Sequence, residues 1–342
     1  GSGAQGVSTS VWRLSHQYTV AVMLDLVWSV AEDGMNYVFW LAGFLSIVTY
    51  VIPVLLQVLV LDTVGNNLKK RYDAEWALVT GASSGIGLAI VNKLAEQDVN
   101  VVMVALEDKL LDESHASMSE KYPELKFVKL GCNLGGGDYM NTIIEATKDL
   151  DIQLVFNNAG YIIVGKHHDV APGRSFANFE CNATAPMKIT QHFAKDMVDK
   201  KLRGLIGFTS SSAGFVPNPL SSLYASTKSF LTLFATSVAA EVRSAGIDVV
   251  VVHPSPIASN FFNDAGTLDV LMSFKKLAVG PSVIADVLFS SAGRFVVRDQ
   301  GLVTILFRVV LKFVDFNFFC ELVARTAHLS GDFNKDHAKK KA

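Results

Sequence analysis

Trp76-Ala77-Leu78-Val79-Thr80-Gly81-Ala82-Ser83-Ser84-Gly85-Ile86-Gly87 is the stretch from which the fold is read. Its first five residues make an apolar run of the length of a buried strand. Gly81, Gly85 and Gly87 then fall where that strand gives way to a helical pattern. Glycines in that place let the backbone approach a pyrophosphate. The anion then sits at the helix N-terminus, where unpaired N–H groups and the helix dipole favour negative charge. A glycine-rich turn alone carries little information; the strand before it and the helix after it supply the context.

Outward from this turn, six further short apolar runs alternate with amphipathic stretches of helical length. They are Val99–Ala105, Lys126–Gly131, Gln153–Asn157, Leu205–Ser210, Asp248–His253 and Phe295–Val297. Together with Trp76–Thr80, strict alternation predicts an α/β fold: a doubly wound Rossmann-type parallel sheet with right-handed crossovers. There is no internal repeat.

The flanks have a different character. From Val38 to Leu61 no residue is charged, and a helix of that length spans about 36 Å, enough for a hydrocarbon core of about 30 Å. Pro53 kinks it, which membrane helices tolerate. Lys69, Lys70 and Arg71 follow and Glu32 and Asp33 precede, so the positive-inside bias places the rest of the chain in the cytosol. At the far end, Leu302–Ala324 is apolar but interrupted by Arg308, Lys312, Asp315 and Glu321. The first three share one face by spacing. This suits an amphipathic helix lying on a membrane or packed on the domain. The expected organisation is a leader over 1–37, a transmembrane or membrane-embedded helix over 38–61, and a linker over 62–75. A dinucleotide-binding catalytic domain over 76–300 and an apolar helix with a lysine-rich tail over 301–342 complete it. The opening Gly1-Ser2-Gly3 reads as a cloning scar or a processed end.

Composition agrees. Half of the residues are hydrophobic, mean hydropathy is +0.33, and both point to membrane contact. A net charge of −2 gives no basic excess for nucleic acid. Cys132, Cys181 and Cys320 lie far apart with no CxxC, which argues against a disulfide framework or zinc site and fits reduced thiols in a cytosol-facing compartment. His167 and His168 have no matching ligand pattern, and no metal is expected.

Tyr224-Ala225-Ser226-Thr227-Lys228 places a Tyr and a Lys one helical turn apart on one face. A free phenol has a pKa near 10, and a neighbouring ammonium would lower it into a useful range. Upstream, Ser211 ends the fifth strand, where a hydroxyl can hydrogen-bond a substrate oxygen as its charge changes. Asn157-Asn158-Ala159-Gly160 closes the fourth strand.

In this order and spacing, the TGxxxGIG turn, NNAG, the serine and YxxxK resemble the short-chain dehydrogenases/reductases, over roughly residues 76 to 297. The resemblance implies that Tyr224 gives a proton to a carbonyl during reduction. Lys228 would bind the nicotinamide ribose and tune Tyr224, and Ser211 would orient the carbonyl. Asn182 matches the family's asparagine at a helix kink, which holds a proton-relay water. Gly81, Ser83, Ser84, Gly85, Ile86 and Gly87 would cradle the cofactor, with Asn133, Asn158, Ala159 and Gly160. Pro254, Ile257 and Ser259 would cover its nicotinamide, although Ser255 stands where the family has glycine. Ala105 and Leu106 replace the Asp of NAD-preferring members and the Arg of NADP-preferring ones. The missing Asp favours NADP(H) over NAD(H). Asn67–Tyr72, the YASTKSF stretch from Tyr224 and Glu241–Gly246 resemble the branch of very-long-chain 3-oxoacyl-CoA reductases and 17-beta-hydroxysteroid dehydrogenases, as does Lys339-Lys340-Lys341. The implied activity is NADPH-dependent reduction of a lipid carbonyl, 3-oxoacyl-CoA to 3-hydroxyacyl-CoA, at the endoplasmic reticulum membrane. A homodimer is the assembly the family allows. The competing readings are a hydroxysteroid or retinol dehydrogenase, a 3-ketosphinganine reductase, and a catalytically inactive cofactor-binding scaffold. Phe261, Phe262, Leu268, Val270, Leu271, Met272 and Phe274 would form an apolar lid over the substrate.

Overall fold

The structure is a computed structural model describing residues 5–61, 64–258, 268, 269 and 277–335, with side chains from residue 22 onward except 47 and 61. The chain divides into two compact units, residues 1–63 and 64–342. The first holds helix α1, Gln5–Ser46, followed by π-helical turns and the short helix Ile52–Leu56. Its window Val22–Val60 is long and apolar enough to cross a membrane. The apolar helix therefore starts well before Val38, because Asp25, Glu32 and Asp33 are too sparse to interrupt helical hydrogen bonding.

The second unit is a seven-stranded parallel sheet in the order β3-β2-β1-β4-β5-β6-β7. The strands are β1 Trp76–Thr80, β2 Asn100–Ala105, β3 Phe127–Gly131, β4 Ile152–Asn157, β5 Gly204–Thr209, β6 Ile247–His253 and β7 Val297–Asp299. Six lie within a residue or so of their predicted positions; β7 is shifted toward the C-terminus. Strand residues are buried on both faces, which is why they read as continuous apolar runs. On β1 and β2, Ala77, Val79, Val101 and Met103 pack to one side with α2 (Gly85–Ala95), α3 (Lys109–Lys121) and the later helix Pro281–Ser291. Leu78, Val102 and Val104 pack to the other side, toward α4 (Tyr139–Thr147), the kinked pair α5 (Pro172–Phe179) and α6 (Ala185–Asp199), and α7 (Ser222–Val242). Pro281–Ser291 is α8. The strand order reverses between β1 and β4, and that switch point opens the crevice in which ligands of such sheets bind.

Two predicted boundaries move. The expected linker is part of the domain: Leu68, Tyr72 and Ala74 are buried in its core, and the Tyr72 hydroxyl donates to Asp248 at 2.9 Å. The C-terminal segment is two helices, α9 (Leu302–Phe313) and α10 (Phe316–Thr326). Asp315 lies between them and accepts from the Asn317 and Phe318 amides, capping α10, so it does not share a helical face with Arg308 and Lys312. Thr304 of α9 is fully buried, so this helix packs on the domain.

Candidate active site

The turn after β1 is built on glycine. Gly81 and Gly85 have φ of +66° and +54°, where a side chain is strained. A Cβ on Gly87 would stand 1.9 Å from the Gly81 carbonyl oxygen, so α2 starts closer to the turn than any side chain permits. The Thr80 hydroxyl accepts from the backbone amides of Asn158 and Ala159, both at 3.0 Å. The Asn158 amide donates to the Thr80 carbonyl at 3.2 Å, and Thr209 donates to its Oδ1 at 3.0 Å. Asn158 thus ties the ends of β1, β4 and β5 beneath the crevice.

The crevice is a cavity of about 830 Å³. Gly81, Ser83, Ser84, Gly85, Ile86, Asn133, Asn158, Ala159, Gly160, Pro254 and Ile257 all line it, with Ser211, Tyr224 and Lys228 at one end. Gly87 sits behind the wall, where its role is close packing. Ser259 lies outside the described residues, as do Phe261, Phe262, Val270, Leu271, Met272 and Phe274; Leu268 is buried. A glycine cradle at a helix N-terminus, continuous with a cavity that ends at a Tyr–Lys pair, fits a bound dinucleotide. At the other end lie Ala105, Leu106, Asp108 and Leu110. Glu107 is held by Lys129 at 3.1 Å, and the Asp108 carboxylate caps α3 by accepting from the Leu111 amide. Both nearby carboxylates are therefore engaged within the protein. Asn133 accepts from the Gly135 amide at 2.9 Å, which leaves its NH₂ group for a ligand.

Ser211 follows β5 and its hydroxyl accepts from the Ala213 amide at 3.1 Å. Tyr224 and Lys228 lie on the first turns of α7, both buried. Burial pushes the Tyr224 phenol up to about 12, against the lowering effect of its hydrogen bond with Ser211. Burial brings the Lys228 ammonium down to about 8, opposed by Cys181. The Lys228 Nζ donates to the Thr209 carbonyl at 2.7 Å and lies 5.6 Å from the Tyr224 ring centre. The shift of Tyr224 is set by desolvation and by Ser211, and Lys228 is not among its causes, contrary to the expectation that the ammonium lowers it. A Cβ on Gly160 would come within 3.4 Å of Nζ, so this glycine makes room for the ammonium.

Asn182 is in a π-helical turn, Glu180–Thr184, between α5 and α6, where a kink is expected. Its side chain accepts from the Tyr161 amide at 3.0 Å and donates to the Tyr161 carbonyl at 2.9 Å. It is not among the residues that line the cavity, and through these bonds it braces the wall at Tyr161. Cys132 and Cys181 do line the cavity, and burial raises both thiols to about 11. Among the described residues there is no group of three or more metal-ligating side chains.

Sequence reading missed a buried network behind Lys228. His253, fully buried at the end of β6, hydrogen-bonds Asp299 of β7 through Nδ1 and the Thr232 hydroxyl of α7 through Nε2, each at 2.9 Å. The Ser210 hydroxyl donates to the Lys228 carbonyl at 2.7 Å, and the Thr232 hydroxyl lies 3.0 Å from the same carbonyl. Arg308 of α9 donates to both carboxylate oxygens of Asp299, at 3.0 and 3.2 Å, and its guanidinium stacks 3.9 Å from the Phe215 ring centre. Burial raises the Asp299 carboxyl, but hydrogen bonds from His253 and Arg308 outweigh it and hold the group below its ordinary range. Burial keeps His253 below its ordinary value, against the pull of Asp299. Arg308 was visible in the sequence as a charge in an apolar tail; its partner was not. Ser255 lines the cavity, and its hydroxyl donates to the Gln300 carbonyl at 2.8 Å and lies 3.2 Å from the Thr304 hydroxyl. α9 also contributes Val303 and Phe307 to the cavity.

The family model described as short chain dehydrogenase matches residues 75–267. A very-long-chain 3-oxoacyl-CoA reductase of Scheffersomyces stipitis is 30% identical over 251 residues, 67% of this chain and 71% of that protein. The 17-beta-hydroxysteroid dehydrogenase type 3 of Rattus norvegicus is 32% identical over 55% of this chain and 62% of its own length. Among solved structures, one from work on 7beta-hydroxysteroid dehydrogenase stereoselectivity superposes with a TM-score of 0.67 at 22% identity, covering 75% of this chain and 99% of that one. A short-chain dehydrogenase from Sphingobium yanoikuyae in complex with NADPH has a TM-score of 0.60 at 23% identity, covering 78% and 98%.

Proposed function

The chain belongs to the short chain dehydrogenase family of NAD(P)-dependent oxidoreductases acting on carbonyl and hydroxyl groups, and from that premise we propose that it reduces a lipid carbonyl with NADPH. The reaction is 3-oxoacyl-CoA to 3-hydroxyacyl-CoA, at the endoplasmic reticulum membrane. The observation that carries this reading is one cavity in which Ser211, Tyr224 and Lys228 face apolar Ile162, Val216, Val303 and Phe307. A bound reduced nicotinamide supplies the hydride. Tyr224 donates a proton to the carbonyl oxygen: with its phenol near 12 it stays protonated at neutral pH, the form that reduction needs. Ser211 hydrogen-bonds the same oxygen as negative charge develops. Lys228 binds the ribose and keeps positive charge near the site, and Asn182 positions the wall around Gly160 and Tyr161. Ala105 and Leu106 line the cavity at the end of β2, where NAD-preferring relatives carry an Asp, and that replacement supports NADPH.

The apolar Val22–Val60 helix is the anchor, Lys69, Lys70 and Arg71 after it place the catalytic unit in the cytosol, and exposed Leu306, Val310 and Phe313 on α9 add membrane contact. The rat relative favours a steroid ketone as the second reading. The test is kcat/KM over 3-oxoacyl thioesters from short to very long, with NADPH and NADH, beside a panel of steroid ketones. Efficiency rising with chain length supports the acyl reading. A flat or falling trend rejects it, and preference for a steroid over every thioester establishes the second reading.

A further inference from the structure

A second cavity, about 600 Å³, lies on the opposite side of α7 from Tyr224 and Lys228. Its size is within the range of small-molecule pockets. One wall is a single face of α10 and the residue beyond it: Phe316, Cys320, Val323, Ala324 and Ala327, at helical spacing. The facing wall is Ala225, Ser226 and Ser229 of α7. Val216 and Asn218, in the loop between Ser211 and α7, line both this cavity and the first. That loop is the only partition the two lining sets share. The first cavity spans the whole dinucleotide wall from Leu106 to Lys228. Its apolar end, at Ile162, Val216, Val303 and Phe307, adjoins the loop that borders the second cavity.

We propose that the second cavity receives the distal end of the substrate's acyl chain, which passes the Val216–Asn218 loop from the carbonyl at Tyr224 into the groove between α7 and α10. This rests on the acyl reading above. The wall chemistry fits methylenes: apolar side chains outnumber the polar Asn218, Ser222, Ser226, Ser229 and His328, the small Ala324 and Ala327 leave space, and among the lining residues there is no carboxylate or lysine. Long chains would gain binding there that short chains cannot. α10 lies outside the segment matched by the family model, so chain-length preference would be set by a part of the chain remote from the shared motifs.

The test uses the full chain. Ala324→Trp fills the groove, and Leu322→Trp, on the exposed side of the same helix, is the control. For Ala324→Trp, kcat/KM for very long 3-oxoacyl thioesters should fall about tenfold or more while short ones stay within about twofold. Leu322→Trp should match the parent at all lengths. A second readout needs no variant: the rate at which N-ethylmaleimide modifies Cys320, followed by peptide mass spectrometry. With NADP⁺ bound, a very long 3-oxoacyl thioester should slow this rate at least about fivefold and a short one should not. Equal losses at all lengths, no loss at any length, or no protection of Cys320 overturns the proposal. Equal protection on transfer from detergent to phosphatidylcholine vesicles without thioester would assign the groove to a bilayer lipid and also overturn it. If the parent protein reduces no 3-oxoacyl thioester of any length, the acyl reading itself fails, a result distinct from all of these.

Discussion

Tyr224 and Lys228 are driven in opposite directions by the same cause. Removing each from water disfavours its charged form, so the phenol stays protonated and the ammonium approaches neutrality. Tyr224→Phe keeps the ring and its packing but removes the transferable proton. It should lower kcat for carbonyl reduction by about 100-fold or more while cofactor binding, followed by fluorescence titration, stays nearly intact. A loss within about tenfold, roughly 1.4 kcal/mol of barrier, would show that another group is the acid. The pH profile follows from the lysine. Its charge is present below about 8 and disappears as pH rises through that value. Reduction measured as kcat/KM should be level from about pH 6 and fall up to about tenfold per unit above the Lys228 transition, with Tyr224 still protonated throughout. A profile level to about pH 10 would remove Lys228's charge from the mechanism.

At the scale of elements, α9 is a strut of the site. Arg308 is about one-third exposed and Asp299 is nearly buried. The pair links α9 through His253 and Thr232 to the backbone of Lys228. Arg308→Ala leaves the Asp299 carboxylate with His253 alone. Allowing for solvent at the guanidinium, the cost should be about 1–3 kcal/mol of stability, seen as a lowered Tm. The sign is that of a depressed carboxyl: Asp299 contributes stability above its unfolded pKa and loses it as pH falls through the lower folded value. The Tm difference between the parent and Arg308→Ala should therefore be full at neutral pH and shrink in acid. No difference at neutral pH would mean that α9 is held by its apolar contacts alone. Sequence periodicity described this tail as one amphipathic helix. Asp315 ended it, because a side chain that caps two amides starts a new helix more favourably than it continues an old one.

For the whole molecule, the boundary at residue 63 has a direct consequence. Deleting residues 1–63 should leave a folded unit with its cofactor site, because the sheet and both cores lie beyond it. Deleting 1–75 should not, since it strips Leu68 and Tyr72 from the core at about 2–5 kcal/mol each. Circular dichroism melts of the two truncations test this, and equal stability would show that Leu68 and Tyr72 contribute no net stability. The strands, the glycine turn, the NNAG corner and the Ser–Tyr–Lys set were legible in the sequence. Each is a local pattern: unbroken apolar runs for buried parallel strands, glycine where a side chain would collide, and one-turn spacing for residues on one helical face. The direction of the Tyr224 shift, the inclusion of 64–75 in the domain, the network from Arg308 to Lys228 and the second cavity were not. They depend on which distant residues meet, Thr232 with His253, Tyr72 with Asp248, α10 with α7. Burial, and with it the balance of desolvation and charge, exists only after the chain has packed.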